Sequence, residues 1–296
     1  MSGGAPFVSV AIVGFGLIGA SLAAALRARD RGVRIVAVDR AAALADAATS
    51  ANSDEQVNVD EPDAFAAALS ACELTVLATP VNAILSQLPF VLEHARLVTD
   101  CGSTKRSIVE RSRPLVNAAR FVAGHPMAGA SASGPRNADP RLFEGRRWLL
   151  CSDLGNTAAQ QRISELVRFV GAEVVTVSSA EHDAAVALTS HLPQLLASSL
   201  AVMGAGGAAR LAAGPGFLSA TRVAGGNPVI WNDIFANNGD QIAHASRRLA
   251  QTLEQVATDL ERGDVTSALD LLRSAGEVRF ADPSGVGPRI AKGTRE

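Results

Sequence analysis

The chain has 296 residues, 48% of them hydrophobic, and its 27 basic and 29 acidic side chains leave a net charge of −2. This length is enough for two domains of ordinary size, and the balanced charge argues against a nucleic-acid-binding protein. Uninterrupted apolar runs are shorter than the roughly 20 residues of a membrane span, and the N-terminus has no secretory signal pattern. We therefore expect a cytoplasmic protein that binds neither nucleic acid nor a membrane.

Short β-prone runs alternate with helical segments over the first 180 residues. Strands are predicted at 8–13, 34–38, 57–59, 74–78, 97–99, 121–123, 147–151 and 173–177. Helices are predicted at 17–29, 41–50, from Pro62 onward and at 157–170. Such alternation is typical of βαβ units, so the sequence predicts an α/β fold with a Rossmann-type, doubly wound and mostly parallel sheet.

Beyond residue 178 the strand pattern ends. The chain becomes rich in Ala and Leu, with glycine breaks at 204–207, 214–216 and 225–226. We predict a dinucleotide-binding domain over residues 1–178 and an all-helical substrate and dimerisation domain over residues 179–296. Because the helices between about 180 and 275 are too uniformly apolar to be solvated on all sides, we also predict a homodimer that forms through this domain.

A glycine-rich turn joins the first predicted strand to the first predicted helix. Its G-x-G-x-x-G pattern consists of Gly14, Gly16 and Gly19, with Leu17 and Ile18 before the last glycine. The glycines permit a tight turn, a close approach of the pyrophosphate, and close packing of the helix on the strand. Backbone N–H groups at the helix N-terminus then face the phosphates. The turn therefore predicts a dinucleotide site.

An acidic residue bears on the choice of cofactor. Asp39 ends the second predicted strand, twenty positions past the last glycine, where a carboxylate accepts hydrogen bonds from the ribose hydroxyls. It would repel the 2′-phosphate of NADP, although the neighbouring Arg40 could soften this effect. We predict NAD, with NADP less favoured. Thr79 and Ser103, which follow the fourth and fifth strands, complete the predicted cofactor-binding set.

Two side chains at the carboxyl edge of the predicted sheet indicate dehydrogenase chemistry. His125 follows the sixth predicted strand and Ser103 follows the fifth. Ligands bind at this edge in open α/β folds, and histidine is the usual acceptor of an alcohol proton near neutral pH. We predict His125 as the base and Ser103 as a partner of its imidazole. His182, beside two acidic residues, is predicted to be a solvated residue at a helix start.

No group of His, Cys, Asp or Glu has the spacing of metal ligands, so no metal is predicted.

Several motifs together resemble one enzyme family. GFGLIG, DCGSTK, GHPMAG, SHLPQ and TRVA, followed by NP and a tryptophan, occur in the order and spacing of the prephenate/arogenate (cyclohexadienyl) dehydrogenases, from residue 8 to about 236. GFGLIG is common to many families, whereas the later motifs are specific. The resemblance implies NAD-dependent oxidative decarboxylation of prephenate to 4-hydroxyphenylpyruvate, CO2 and NADH in tyrosine biosynthesis. It also implies a homodimer formed by the helical domain.

The resemblance also implies residue roles. His125 would accept the proton of the substrate 4-hydroxyl, and Ser103 would orient His125 and that hydroxyl. Arg222 would bind a substrate carboxylate. The rest of the substrate pocket would be lined by His191, Gln194 and Trp231. A buried position at a helix start is the alternative for His191.

The sequence departs from the family pattern directly after HPMAG. The family usually has a polar or acidic pair there, whereas this chain has Ala130 and Ser131. The substrate therefore stays open between prephenate, arogenate and 4-amino-4-deoxyprephenate.

Two readings outside this family are disfavoured. A 3-hydroxyacid-type dehydrogenase would need a lysine in the second domain, and residues 179–291 contain none. A non-catalytic NAD-binding protein would have no need for Ser103, His125 and Arg222 together.

Overall fold

The computed structural model describes residues 4–129 and 134–278. These residues form two compact units, one made by residues 4–242 and the other by residues 243–278. The helices between 179 and 242 belong to the same compact unit as the strands. The domain boundary near residue 178 stays a prediction.

Strands and helices alternate as the sequence indicates. The strands are β1 (Ser9–Val13), β2 (Arg34–Asp39), β3 (Glu55–Asn58), β4 (Leu74–Leu77), β5 (Val98–Asp100), β6 (Phe121–Val122), β7 (Gly124–Pro126), β8 (Arg147–Cys151) and β9 (Glu173–Val177). The first seven helices are α1 (Leu17–Arg29), α2 (Ala41–Leu44), α3 (Ala47–Asn52), α4 (Pro62–Ala71), α5 (Val81–His94), α6 (Arg106–Ser112) and α7 (Thr157–Phe169). The single helix predicted at 41–50 is wrong, because the chain turns between α2 and α3 and Asp46 caps the second of them.

Six of the strands form one parallel sheet in the order β3-β2-β1-β4-β5-β6. Both faces are covered, as a parallel sheet requires. In β1, Val10 and Ile12 belong to one apolar core while Ala11 and Val13 belong to another. This strand order is that of dinucleotide-binding folds, and it places the carboxyl ends of all six strands along one edge. The predicted fold class is confirmed.

A second sheet, which the sequence did not reveal, consists of three strands in the order β7-β8-β9. Strand β7 runs antiparallel to β8, and β8 runs parallel to β9. The chain leaves the main sheet at Ala123 and enters the second sheet directly at Gly124. His125 therefore follows the sixth strand, as the sequence indicates, but it lies within a short strand of the second sheet.

The chain after Val177 consists of helices joined by turns and has no strand in its described part, as predicted. Its helices are α8 (Ser179–Val186), α9 (Leu192–Met203), α10 (Gly207–Leu211), α11 (Pro215–Ala220), α12 (Pro228–Glu261) and α13 (Thr266–Glu277). A π-helical turn, Ala187–His191, joins α8 to α9. Helix α12 is interrupted at Asn238, which has φ −138° and ψ 20°.

One helical stretch in the described chain, Ser179–Met203, is long and apolar enough to cross a membrane by length and composition alone, with a mean hydropathy of 1.3. This measure differs from an uninterrupted apolar run, because the stretch includes Glu181 and Asp183. The stretch nevertheless contains His182, Asp183 and His191, whose side chains are buried among protein groups. The absence of a membrane partner stays a prediction.

Candidate active site

The glycine turn after β1 has the geometry of a phosphate-binding loop. Gly14 has φ +91°, and a Cβ there would lie 2.7 Å from the carbonyl carbon of Ala78 and from Thr79 Cγ2. A Cβ at Gly19 would meet the carbonyl oxygen of Gly14, whereas one at Gly16 would point into open space. Two glycines are thus required by protein packing, and the third leaves an open approach to the backbone. A dinucleotide fits this turn.

Helix α1 offers its N-terminus to the same space. It begins at Leu17, which Ile18 follows, and Gly16 at the N-cap has no side chain to cap the helix. Backbone N–H groups of the first turn are therefore left to a ligand, and the helix dipole favours an anion there. The residues predicted to receive the pyrophosphate thus form the N-terminus of α1.

Asp39 lies at the end of β2, beside the glycine turn. Its Oδ2 accepts a hydrogen bond from the backbone N–H of Phe15 at 2.7 Å, and its Oδ1 accepts one from the N–H of Arg40 at 2.7 Å. These contacts fix a carboxylate where the ribose of a bound dinucleotide lies in this fold. The Arg40 side chain is exposed.

The residues after β4 and β5 lie at the same edge. Leu77 pairs with Asp100 in the sheet, so Thr79 and Ser103 follow neighbouring strand ends. The hydroxyl of Thr79 donates to Gln87 Oε1 at 2.9 Å, and its methyl group packs against Gly14. Ser103 is partly buried and, within the described chain, makes no hydrogen bond to His125. The predicted partnership of Ser103 with the imidazole is therefore not made by a direct hydrogen bond in the described chain.

The imidazole of His125 instead contacts a second histidine. His125 Nδ1 lies 2.9 Å from His182 Nε2, and the ring centroids are 5.1 Å apart. His182 Nδ1 lies 2.8 Å from Asp183 Oδ1, and both of these side chains are fully buried. The prediction that His182 is solvated is wrong, because the first turn of α8 faces β7 and the N-terminus of α6.

A buried ion pair lies beneath β7. Lys105 Nζ binds Asp100 Oδ2 and donates to the carbonyl oxygen of Gly124 at 2.8 Å. Asp100 Oδ1 accepts from the N–H of Gly124 at 3.0 Å, and both charged side chains have no exposed surface. The pair therefore holds both backbone groups of the residue before His125.

The predicted pocket residues of the helical region also cluster. His191 is 1% exposed, and its Nδ1 lies 3.4 Å from Asn238 Nδ2. Its ring packs edge-on against Trp231, with the ring centroids 5.8 Å apart. A Cβ at Gly226 would contact the indole of Trp231 and lie 3.3 Å from Gln194 Nε2. His191, Trp231 and Gln194 thus form one continuous group, with His191 at its buried end.

Arg222 stands apart from this group. It lies in the turn after α11 with its side chain exposed, and no described residue forms an ion pair with it. The guanidinium is therefore free to meet an anion from outside. Ala130 and Ser131, which mark the departure from the family pattern, lie outside the described residues.

The three histidines of the site are held neutral. Burial, followed by the charges of His182, Lys105 and His191, places the pKa of His125 well below its ordinary value of 6.5. Burial also lowers the pKa of His182, although Asp183 opposes the shift, and it lowers the pKa of His191 to about 4. A neutral imidazole at His125 can accept a proton at neutral pH.

Comparison with known proteins gives the family. A model described as the nucleotide-binding domain of prephenate dehydrogenase matches residues 22–176, and one described as its dimerization domain matches residues 178–274. The prephenate dehydrogenase of Bacillus subtilis (strain 168) is 30% identical over 287 residues, which cover 93% of this chain and 76% of that protein. The chain belongs to the prephenate dehydrogenase family. The resemblance carried by the sequence motifs is confirmed.

Solved structures agree with the fold. The prephenate dehydrogenase of A. aeolicus, solved with hydroxyphenyl propionate and NAD+, superposes with a TM-score of 0.83 at 24% identity, covering 92% of this chain and 96% of that one. The Synechocystis arogenate dehydrogenase has a TM-score of 0.76 at 28% identity, covering 92% and 98%. Family members named for prephenate and for arogenate therefore share this architecture.

Sequence reasoning missed four residues of the site: His182, Asp183, Lys105 and Asp100. The buried residues of α8 recur at Ser179, His182, Asp183 and Val186, a helical spacing that marks an inward face. Because most of that face is polar, a search for apolar periodicity passes over it.

Proposed function

We propose that this chain catalyses the NAD-dependent oxidative decarboxylation of prephenate to 4-hydroxyphenylpyruvate and CO2. The observation that carries the proposal is His125, a neutral and partly exposed imidazole on β7, directly beyond the carboxyl edge of a dinucleotide-binding sheet. An alcohol oxidation needs a proton acceptor at that place. Membership of the prephenate dehydrogenase family supports prephenate as the substrate.

The protein groups have separate tasks in this reaction. NAD+, when bound, accepts the hydride from C4 of the substrate. His125 takes the proton of the 4-hydroxyl as the hydride departs and returns a proton to the phenol oxygen once the ring is aromatic. The bond between the ring and its carboxylate breaks, CO2 leaves, and the electron pair of that bond completes the aromatic ring. No net proton is released, and no metal is needed to accept electrons.

Substrate recognition rests on residues of the helical region. Prephenate carries two carboxylates, for which a guanidinium is the expected partner. We assign one of them to Arg222, and the lining of the pocket to His191, Gln194 and Trp231. Ser103 would bind the cofactor and the 4-hydroxyl rather than His125 directly.

The direct test mixes the purified protein with NAD+ and prephenate and follows the absorbance of NADH. Parallel reactions replace prephenate with arogenate or with 4-amino-4-deoxyprephenate. NADH formation that is fastest with prephenate supports the proposal. Faster turnover of arogenate or of the amino analogue would move the assignment to that substrate, and no NADH in any reaction would overturn it.

Cofactor preference is the first testable consequence. We expect kcat/KM to be at least about tenfold higher with NAD+ than with NADP+, because the fixed carboxylate of Asp39 repels a 2′-phosphate by more than about 1.4 kcal/mol. Asp39→Asn keeps an oxygen for the N–H of Phe15 but loses the charge. It should therefore reduce the ratio of kcat/KM with NAD+ to kcat/KM with NADP+. Equal efficiency of the wild type with both cofactors would show that Arg40 outweighs Asp39.

A homodimer formed by the helical region is the second consequence, and the family's dimerization domain supports it. Among residues 179–242, the most exposed large apolar side chains are Val202 (78%), Met203 (79%), Leu211 (91%), Leu218 (62%) and Val229 (64%). Residues 243–278 expose another set: Leu253, Leu260, Val265, Leu269, Leu271, Leu272 and Val278. Covering these side chains with a second copy would remove apolar surface from water.

Light scattering at micromolar concentration should therefore give twice the chain mass of 30.5 kDa. Met203→Asp should shift the protein toward the monomer, because it would bury a charge in the interface. Val116→Asp is the matched control, since Val116 is 82% exposed but lies in the nucleotide-binding region. A monomeric wild type would contradict the dimer.

A further inference from the structure

Among residues 4–129 and 134–278, His182 is the partner of His125 Nδ1, and His182 is itself held in place. The chain of contacts runs from His125 Nδ1 to His182 Nε2 at 2.9 Å, and from His182 Nδ1 to Asp183 Oδ1 at 2.8 Å. His182 and Asp183 have no exposed surface, so water does not compete for these hydrogen bonds.

The carboxylate at the end of this chain is surrounded by donors. Asp183 Oδ1 also accepts from the N–H of Lys105 at 2.7 Å, and Oδ2 accepts from the N–H of Arg106 at 2.9 Å and from its Nε at 3.3 Å. Burial alone would raise the pKa of Asp183, but the hydrogen bonds from His182 and from the backbone of Arg106 and Lys105 outweigh it and lower that pKa. Asp183 is therefore ionised and can only accept.

An accepting carboxylate determines the proton positions on both rings. His182 Nδ1 must carry a proton, because two lone pairs would otherwise face each other over 2.8 Å. Burial lowers the pKa of His182, so this ring is neutral and its Nε2 is bare. A bare Nε2 accepts, and the proton in the 2.9 Å contact therefore belongs to His125 Nδ1.

We propose that His182 and Asp183 are positioning residues that hold His125 in its Nδ1-protonated tautomer, with Nε2 bare and directed to the substrate hydroxyl. The catalytic consequence rests on the proposed function, but the tautomer itself does not. In the opposite tautomer, Nε2 would carry a proton and His125 could not accept one there. The pair of His182 and Asp183, here called the dyad, thus selects the proton-accepting form of His125.

Other charged and titratable groups surround the two rings. Lys105 and Asp100 lie beneath β7, His191 lies in the π-helical turn after α8, and Arg106 binds Asp183 from α6. Asp240 on α12 pairs with the far side of Arg106. None of these groups forms a hydrogen bond with the imidazole of His125 in the described chain, so His182 is the partner that orients it.

The tautomer can be measured without turnover. In protein labelled with isotopic nitrogen in histidine, NMR distinguishes a protonated ring nitrogen from a bare one. We expect His125 in the wild type to show a protonated Nδ1 and a bare Nε2. His182→Leu should lose this preference, whereas His182→Gln should keep most of it, because a glutamine carbonyl can accept from Nδ1.

Kinetics supply the second readout. We expect His182→Leu to lower kcat about 10- to 100-fold, the range typical for outer partners of functional histidines, with an unchanged KM for NAD+. His182→Gln should recover most of that loss. Ser178→Ala is the matched control: it removes the capping box of the same helix, costing about 1 kcal/mol of stability, but leaves the dyad intact. Its kcat should stay within about twofold.

The double variant separates positioning from a general structural role. If His182 acts through His125, His182→Leu should change kcat by less than about twofold in the His125→Asn background, because the group that it orients is gone. A further 10-fold loss there would overturn the proposal. So would a wild-type His125 with a protonated Nε2, and that result stands even if His182→Leu fails to fold. A wild type that shows the expected tautomer but forms no NADH would instead refute the proposed function alone.

Discussion

His125→Asn should lower kcat by roughly 10²–10⁴-fold, the contribution of a well-placed general base. Asparagine keeps a polar group near the position of Nδ1, so the contact with His182 can persist. It has no nitrogen that accepts a proton at neutral pH. Without a base, positive charge would build on the 4-hydroxyl oxygen as the hydride leaves. Steady-state kinetics with saturating NAD+ and prephenate measure the loss.

The same variant should bind NAD+ normally, since the glycine turn and Asp39 are unchanged. Fluorescence titration of the cofactor checks this point. His244→Asn, a change at an exposed histidine of the other compact unit, should leave kcat unchanged. If His125→Asn retained most of its kcat, the base would have to be another residue, and His191 would be the next candidate.

The pH profile gives an independent view of the same group. A base works only while neutral, and burial holds the pKa of His125 well below 6.5. The neutral form therefore persists on the acid side of that value, and activity is lost only as the pH falls through the lowered pKa. We expect the acid limb of kcat/KM to have its midpoint below 6.5 and to be absent in His125→Asn.

Much of the fold could be predicted because its signals are local. Alternating short strands and helices gave the parallel sheet, and the spacing from Gly14 to Asp39 gave the nucleotide site. The switch between sheets at Ala123 could not be predicted. The pairing partner of β7 is Arg147–Cys151, more than twenty residues later, and no local pattern shows which sheet a three-residue strand joins.

The site was predictable where one residue carries a motif and unpredictable where residues act in pairs. His125 could be singled out because it follows a strand in a recognisable motif. His182 was missed because a histidine between two acidic residues looks solvated. Only the packing of α8 against β7 and α6 shows that Asp183 receives the N–H groups of Lys105 and Arg106. That is a tertiary contact across more than seventy residues.

The buried pair of Lys105 and Asp100 leads to the largest expected change in stability. Lys105→Met should lower the free energy of unfolding by about 3–5 kcal/mol, because it leaves the Asp100 carboxylate buried and without its counter-charge. The carbonyl of Gly124 would lose a donor as well. Urea unfolding at a fixed protein concentration measures the shift. Arg34→Met is the matched control: its pair with Glu55 is 44–45% exposed, so it should cost less than about 1 kcal/mol.

A double variant tests whether the loss comes from the unpaired charge. Asp100→Asn in the Lys105→Met background removes that charge but keeps an oxygen for the N–H of Gly102 or Gly124, so the two changes together should cost less than their sum by about 0.5–3 kcal/mol. Strict additivity would mean that the two side chains stabilise the protein separately. Equal losses in Lys105→Met and Arg34→Met would mean that the buried pair contributes no more than one at the surface. A non-additive result, with kcat lowered in both Lys105→Met and Asp100→Asn as single variants, would link the buried pair to the backbone of Gly124. It would thereby link the pair to the placement of His125, the next residue.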